Sequence, residues 1–345
     1  MQRSVCSLPL SSAVISKLTR RGFQCTADLE QLSAGQISTE AGVTEEEALE
    51  VLDLVNPQRC PVSVTALELL QRETELKPIV TSCFELDQAL GGGIALGKTT
   101  EICGVPGIGK TQLCLQLAVN VQIPECFGGL GAQCLFIDTE GTFFLQRLRD
   151  MAAAAVRRCS LLTENQAQQD ATRTFTVDYI LSNLFVVRCD DSVELLSQIS
   201  GLPSFLSNHP KVRLIIIDSI AFPFRLHLED LPLRTRLLLG AAHQLVALAT
   251  TRDAAVVMTN QMTTRVQGEG PRLVPALGET WGHAANIRIL LQWTDFKRTA
   301  TIFKSSSHVT TTVQYQINTD GFRGLSEQRK RTKVHTETQN AGETR

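Results

Sequence analysis

Thr99-Thr-Glu-Ile-Cys-Gly104-Val-Pro-Gly-Ile-Gly-Lys110-Thr111, continuing as Gln-Leu-Cys-Leu-Gln-Leu-Ala-Val-Asn-Val121, is the stretch on which the fold turns. A short strand-like run passes into a glycine-rich loop and then into a run with helical character. The loop consists of Gly104, Val105, Pro106, Gly107, Ile108, Gly109, Lys110 and Thr111 and fits G-x-x-x-x-G-K-[ST]. Its glycines let the backbone curl until successive N–H groups point at phosphate oxygens, and the following helix adds the partial positive charge of its N-terminus. In this pattern Lys110 bridges the outer phosphates and Thr111 offers a hydroxyl to Mg²⁺.

Further along the chain, three strand ends carry side chains that suit the same site. Arg213-Leu-Ile-Ile-Ile-Asp218 is an apolar run closed by an acid, the arrangement that holds Mg²⁺ through its water shell. Glu140, in Asp138-Thr-Glu-Gly141 after the run Cys134–Asp138, is a carboxylate able to orient or deprotonate an attacking water. Val257-Met-Thr-Asn260-Gln261 ends in two amides just before a long loop, and one of them is suited to report the state of a phosphate to that loop.

Strand-like runs alternate with amphipathic helical stretches from Ser82 to about Gly321. The runs are Thr99–Cys103, Cys134–Asp138, Leu184–Arg188, Leu214–Asp218, Ala255–Thr259, Ile287–Trp293, Thr301–Lys304 and Thr312–Ile317. This alternation predicts an α/β fold with a mostly parallel sheet covered on both faces, and the close spacing of the last runs predicts antiparallel strands at its end. Before it, residues 1–55 read as a small all-α domain. Its expected helices cover Leu10 to Leu18, Thr26 to Leu32, and Glu45 to Val55 behind Thr44 as cap. Helix, glycine turn and helix suggest a helix-hairpin-helix module, able to grip a phosphate backbone or to dock protein; Glu40, Glu45, Glu46, Glu47, Glu50 and Asp53 weigh against the former. Residues 56–78 read as a linker with a helix from Thr65 to Glu75, 79–323 as the large α/β core, and 324–345 as a polar, basic tail expected to be disordered.

With 33 basic and 35 acidic residues the net charge is −2, which excludes a polycation that coats nucleic acid through bulk charge. No run of eighteen apolar residues suggests a membrane span. The ten cysteines are scattered with no C-x-x-C pair, so they read as small buried hydrophobes in a reducing, intracellular compartment.

The order of P-loop, D-T-E-G-T-F, I-I-I-D-S, T-N-Q-M-T-T and a glycine-rich loop resembles the core of the RecA-like recombinases. The helical N-terminal region resembles their eukaryotic and archaeal branch. The longer stretches TTEICGVPGIGKTQLCLQLAVNVQIPECFGG, IAFPFR and LVPALGETWGHAA, with the basic tail, are closest to the paralog C subfamily. The resemblance spans about residues 8–323. It implies ATP with Mg²⁺ as cofactors, Lys110 and Thr111 as phosphate and metal ligands, Asp218 as the second acid, Glu140 as the water-activating carboxylate and Gln261 as the γ-phosphate sensor. It further implies that Arg147 lies against the adenine, and that two segments, about Phe222–Pro232 and Thr263–Thr280, line a DNA channel. Basic residues there, Arg225 and Arg234 for the first and Arg265 and Arg272 for the second, suit a single-stranded backbone tracked by mobile loops.

The implied function is a DNA-stimulated ATPase subunit of homologous-recombination repair, acting on single-stranded and branched DNA with related recombinase paralogs and the main recombinase filament, and with no membrane partner. The competing reading is an assembly scaffold that uses ATP as interface glue. Two departures from the family pattern stand out. The phenylalanine anchor that precedes the linker helix in filament-forming members falls on Ser63, a loss of roughly 2–4 kcal/mol of contact that favours hetero-assembly over homofilaments. Lys304-Ser-Ser-Ser307 stands where the family carries an acid and a proline; Lys304 would reach a neighbour's γ-phosphate or be an exposed strand-end lysine. In the tail, the cluster Arg329, Lys330, Arg331 and Lys333 reads as a nuclear-import signal, with the cytoplasm as a second location.

Overall fold

The computed structural model describes residues 4–8, 10–29, 32–55, 64–226, 230–267, 270–306 and 309–325. Contacts divide the chain into two compact units, 1–73 and 74–345. The predicted anchor position Ser63 and the import cluster Arg329, Lys330, Arg331 and Lys333 lie outside the described residues.

The first unit is helical. Helices Ser12–Arg20, Ala34–Ala41 and Glu45–Val55 close over Val14, Leu18, Leu29, Ile37, Val51 and Val55. The sequence expectation of a helix over Thr26–Leu32 is corrected: among the described residues of that stretch only a 3-10 turn, Thr26–Asp28, forms. The helix forms later, at Ala34–Ala41, because Ser33 and Gln36 cap its N-terminus reciprocally and Gly42, at φ 69°, ends it. Thr65 and Glu68 make the same reciprocal cap for the helix Ala66–Glu75.

In the second unit, strands β1 (Thr99–Gly104), β2 (Gln133–Asp138), β3 (Leu184–Arg188), β4 (Val212–Asp218), β5 (Ala255–Asn260), β8 (Ile287–Thr294), β9 (Lys297–Lys304), β10 (Thr311–Asn318) and β11 (Gly321–Gly324) form one sheet. Strands β6 (Met262–Gln267) and β7 (Gly270–Pro275) form a separate antiparallel pair. The large sheet runs β11-β10-β9-β8-β1-β5-β4-β2-β3, parallel from β8 to β3 and antiparallel from β8 to β11.

Period-2 alternation feeds both faces of this sheet. Phe136, Leu214, Ile216 and Val257 pack into one core with the helices Lys110–Asn120 and Leu145–Leu161. Leu135, Ile215, Ile217, Val256 and Met258 pack into the other with Ser192–Asn208 and Leu231–Arg252. Strand β11 has only four residues, two of them glycine, and left no periodic signal. Among the described cysteines six are buried, and burial pushes the Cys83 thiol up to about 12; Cys6 and Cys126 are exposed, against the expectation of buried filler throughout.

One charge is buried where the sheet meets the β6–β7 hairpin. Glu101, in the middle of β1, is inaccessible to solvent, and its Oε1 accepts from Asn260 Nδ2 at 2.7 Å and Trp281 Nε1 at 2.8 Å. Its Oε2 accepts from Arg288 Nε on β8, and the Arg288 guanidinium stacks 4.8 Å from the Phe303 ring. Asn260 Nδ2 also reaches the Ala276 carbonyl at 2.8 Å, so the network fixes the base of the hairpin. Glu101→Ala strands the Arg288 charge in the interior and should cost about 3–5 kcal/mol in urea denaturation, whereas Glu101→Leu combined with Arg288→Met should recover at least half of that loss.

Candidate nucleotide site

Strand β1 delivers the loop Gly104–Gly109 to the carboxyl edge of the sheet, and the helix Lys110–Asn120 starts directly after it. Glycine is required at two points. A Cβ at Gly104 would sit 2.7 Å from the Leu291 carbonyl oxygen, and one at Gly109, where φ is +117°, would overlap the Ile317 side chain. From the far side the Tyr315 hydroxyl donates to the Ile108 carbonyl at 2.9 Å. The loop is thus held by β8 and β10 directly before the start of the helix Lys110–Asn120, a cradle that suits phosphate oxygens.

Lys110 folds back over this loop, donating from Nζ to Gly104 O at 2.9 Å and Val105 O at 3.3 Å. Burial pulls its ammonium below the ordinary lysine range, while Asp218 and Glu140 oppose that shift. Thr111 Oγ1 donates to Asp218 Oδ2 at 2.6 Å, and Thr259 on β5 donates to Oδ1. Burial pushes the Asp218 carboxyl above the usual range, and the two hydroxyls pull it back. A desolvated carboxylate beside a hydroxyl, open to phosphate oxygens and water, is the hard oxygen donor set that Mg²⁺ takes, so Thr111 and Asp218 fit that ion.

Glu140 sits on the turn after β2, and Asp138 shapes that turn. Asp138 Oδ1 accepts the backbone N–H groups of Glu140 at 3.2 Å, Gly141 at 2.9 Å and Thr142 at 3.2 Å, and Oδ2 accepts that of Phe143 at 3.2 Å. Arg188 Nη1 braces the same carboxylate at 3.3 Å, and Gly141, at φ +71°, has no room for a Cβ beside that guanidinium. Glu140 Oε1 in turn accepts from Ser219 Oγ at 2.6 Å and Gln261 Nε2 at 2.8 Å. Lys110, Thr111, Asp218, Glu140 and Gln261, drawn from four points of the sequence, therefore converge at the carboxyl ends of β1, β2, β4 and β5.

Arg147 lies farther along the sheet edge. Its Nε donates to Gln112 Oε1 at 2.7 Å, and its two terminal nitrogens donate to the carbonyls of Asn318 at 2.6 Å and Thr319 at 2.7 Å. The guanidinium is pinned by its edges, which leaves a flat face for stacking.

The segments expected to be mobile basic loops differ from that expectation. Arg225 is exposed at the end of a short helix, Ala221–Leu226, and donates from Nη1 to Gln261 Oε1 at 2.7 Å. Arg234 is part of the long helix Leu231–Arg252, whose start Asp230 caps. Arg265 and Arg272 are cross-strand partners in the β6–β7 hairpin, and Arg265 Nη1 meets Glu279 Oε1 at 2.6 Å. Threonine, valine and arginine alternating on either side of the turn favour strand over loop. Lys304 closes β9 as a strand-end lysine but is half-buried rather than exposed: Nζ caps the helix Gly278–Ala284 through the carbonyls of Gly282, His283 and Ala285 at 2.6–3.0 Å.

Three contributors carry no role in the sequence reading: Asp138, Ser219 and Thr259. Each adjoins a residue that does, within D-T-E-G, D-S and T-N-Q, and that adjacency is the only trace they leave in the chain. Asp138→Ala should orphan the amides of residues 140–143 at a cost of about 2 kcal/mol, read as roughly thirtyfold faster hydrogen exchange at those amides; unchanged exchange would remove Asp138 as the organiser of the turn.

A family model described as Rad51 matches residues 71–325. The protein named DNA repair protein RAD51 homolog 3 of Cricetulus griseus is 49% identical over 338 residues, covering 94% of this chain and 92% of its own. The Dictyostelium discoideum protein of the same name is 40% identical over 265 residues, 76% of this chain and 70% of its own, in keeping with the resemblance to paralog C. DNA repair and recombination protein RadA of Metallosphaera sedula is 32% identical over 287 residues, 82% of this chain and 83% of its own. With the phosphate loop, the acid-ended parallel strands and a similarity that runs through nearly the whole sequence, the chain belongs to the Rad51 family.

Proposed function

We propose that the chain is an ATP-binding, DNA-stimulated ATPase subunit of a recombinase-paralog complex, acting in homologous-recombination repair of double-strand breaks and damaged replication forks. One observation carries this reading: Lys110 over the glycine loop, the hydrogen-bonded pair Thr111–Asp218 and the pair Glu140–Gln261 lie at one sheet edge, in a chain whose relatives are named as DNA repair proteins.

In this reading the amides of Gly104–Gly109 and the Lys110 ammonium hold the phosphates of ATP, and Thr111 and Asp218 hold Mg²⁺. Bound Mg-ATP supplies a polarised terminal phosphoryl group. Lys110, already poor in water, exchanges the carbonyls of Gly104 and Val105 for charged oxygens, a stronger acceptor. Glu140 takes the proton of the attacking water, Gln261 reports occupancy toward the β6–β7 hairpin, and Arg147 lies against the base. Arg225, Arg234, Arg265 and Arg272 contact single-stranded or branched DNA. The basic cluster in the tail directs the protein to the nucleus.

Lys110→Ala should abolish ATP binding. Glu140→Gln should keep ATP affinity within about twofold and lower turnover by roughly 10²–10⁴, the ordinary worth of a positioned base. Normal turnover in Glu140→Gln would take that residue out of the mechanism.

Ser63 supports this choice of partners, because by the family resemblance it stands where filament-forming members carry a deep apolar anchor. The chain joins related paralogs and assists the main recombinase filament rather than building one. In sedimentation with ATP and single-stranded DNA the purified chain should remain a small species; long homofilaments would refute this assignment.

A further inference from the structure

The hydrogen bonds behind Glu140 continue past Gln261 and have a direction. Gln261 Nε2 donates to Glu140 Oε1 at 2.8 Å, while Gln261 Oε1 accepts from Arg225 Nη1 at 2.7 Å. Turning the amide over would set oxygen against carboxylate and N–H against guanidinium, so neither bond survives a flip. A cation at one end and a carboxylate at the other therefore polarise and lock the amide between them. Ser219 Oγ, fully buried, fixes the same Glu140 oxygen from behind at 2.6 Å. Of Ser219, Glu140, Gln261 and Arg225, only Arg225 is exposed. It stands on the helix Ala221–Leu226, away from the phosphate loop.

We propose that Arg225 is a positioning residue that latches Gln261 onto Glu140, and that a polynucleotide phosphate opens the latch by competing for its guanidinium. This rests on the reading of Glu140 and Gln261 as the working pair of the nucleotide site. The Gln261 oxygen is a neutral acceptor, whereas a phosphate oxygen is charged and accepts the guanidinium fork in bidentate fashion, so the exchange is favourable. Nothing buried has to open for it. Once Arg225 is drawn away, the amide loses one of its two anchors and can turn from Glu140. Arg265 has a different acceptor, Glu279, on the helix Gly278–Ala284. DNA engagement at Arg225 and release of the Gln261 amide are then a single event, and the two sites are coupled reciprocally.

The test is a fluorescence titration of the full chain with a hydrolysis-resistant ATP analogue and Mg²⁺, with and without saturating oligo-dT, with turnover of ATP measured in parallel. In the wild type, oligo-dT should tighten the analogue roughly fivefold, the worth of about one net hydrogen bond. Arg225→Ala should bind the analogue without DNA about as tightly as the wild type does with DNA, and oligo-dT should then add less than twofold. Gln261→Ala, which removes the latched group itself, should lose the DNA dependence as well. The proposal is overturned if Arg225→Ala keeps the weak DNA-free affinity of the wild type, since Arg225 would then be a DNA contact and nothing more. It is equally overturned if Gln261→Ala keeps the dependence or if the wild type has none. Absent turnover with this binding pattern intact would remove the ATPase reading and leave the latch standing.

Discussion

The Asp218 carboxylate is the interaction on which the rest of the site depends. It closes β4 and accepts hydroxyls from Thr111 on the phosphate-loop helix and Thr259 on β5. Three elements far apart in the sequence are thereby tied together at one buried group. Desolvation makes that group costly, as its raised pKa records, and an unpaired acid there would not be tolerated. Its neighbours are consequently fixed as well: Thr139 and Ser219 exchange hydrogen bonds at 2.7 Å in both directions, which registers the end of β2 against the end of β4.

From this registry the position of Glu140 follows. Parallel strands deliver their carboxyl ends to one edge, so each turn leaving that edge must bend over the phosphate loop or away from it. Asp138 decides for β2 by collecting four amides onto one carboxylate. For β5 the decision is made by Asn260 and the buried Glu101, which draw the hairpin base toward Trp281 and leave Gln261 facing Glu140. A charge buried inside a strand thus serves geometry: Asn260 and Trp281 donate to one of its oxygens and Arg288 to the other, which ties together elements that frame the site.

The contrast between what the chain announced and what it concealed has a physical basis. The phosphate loop, Asp218 and Glu140 were legible because a fixed local spacing or a strand end makes each of them meaningful without its partners. The alternation of runs likewise gave the parallel sheet, since buried strands and amphipathic helices have different periods. Ser219, Thr259 and Asp138 were silent because their roles exist only across strands, and Ser219 lies 79 positions from the carboxylate it holds. The hairpin β6–β7 was silent for another reason. None of its described side chains is buried, so no apolar alternation marked it, and its glycines and prolines resemble a loop. The helix Ala34–Ala41 buries only Ile37 and Ala41, too little for periodicity, and its signal lay in the Ser33–Gln36 cap instead.

Charge was the least informative quantity in the composition and is the most informative in the structure. A balance of −2 says nothing about nucleic acid. At the edge of the core, however, exposed arginines are held by internal acceptors, Arg225 by an amide oxygen and Arg265 by Glu279. Exposed pairs of this kind are worth about 0–1 kcal/mol each, so a polyanion can take both cations over at little cost. The acceptors differ in what they do when released. Glu279 returns to solvent, whereas Gln261 is left with Glu140 as its single anchor and is free to turn from it. On the proposed exchange, a surface that trades its own acceptors for phosphates need not be strongly basic, and of these two arginines it is Arg225 whose acceptor also bonds Glu140.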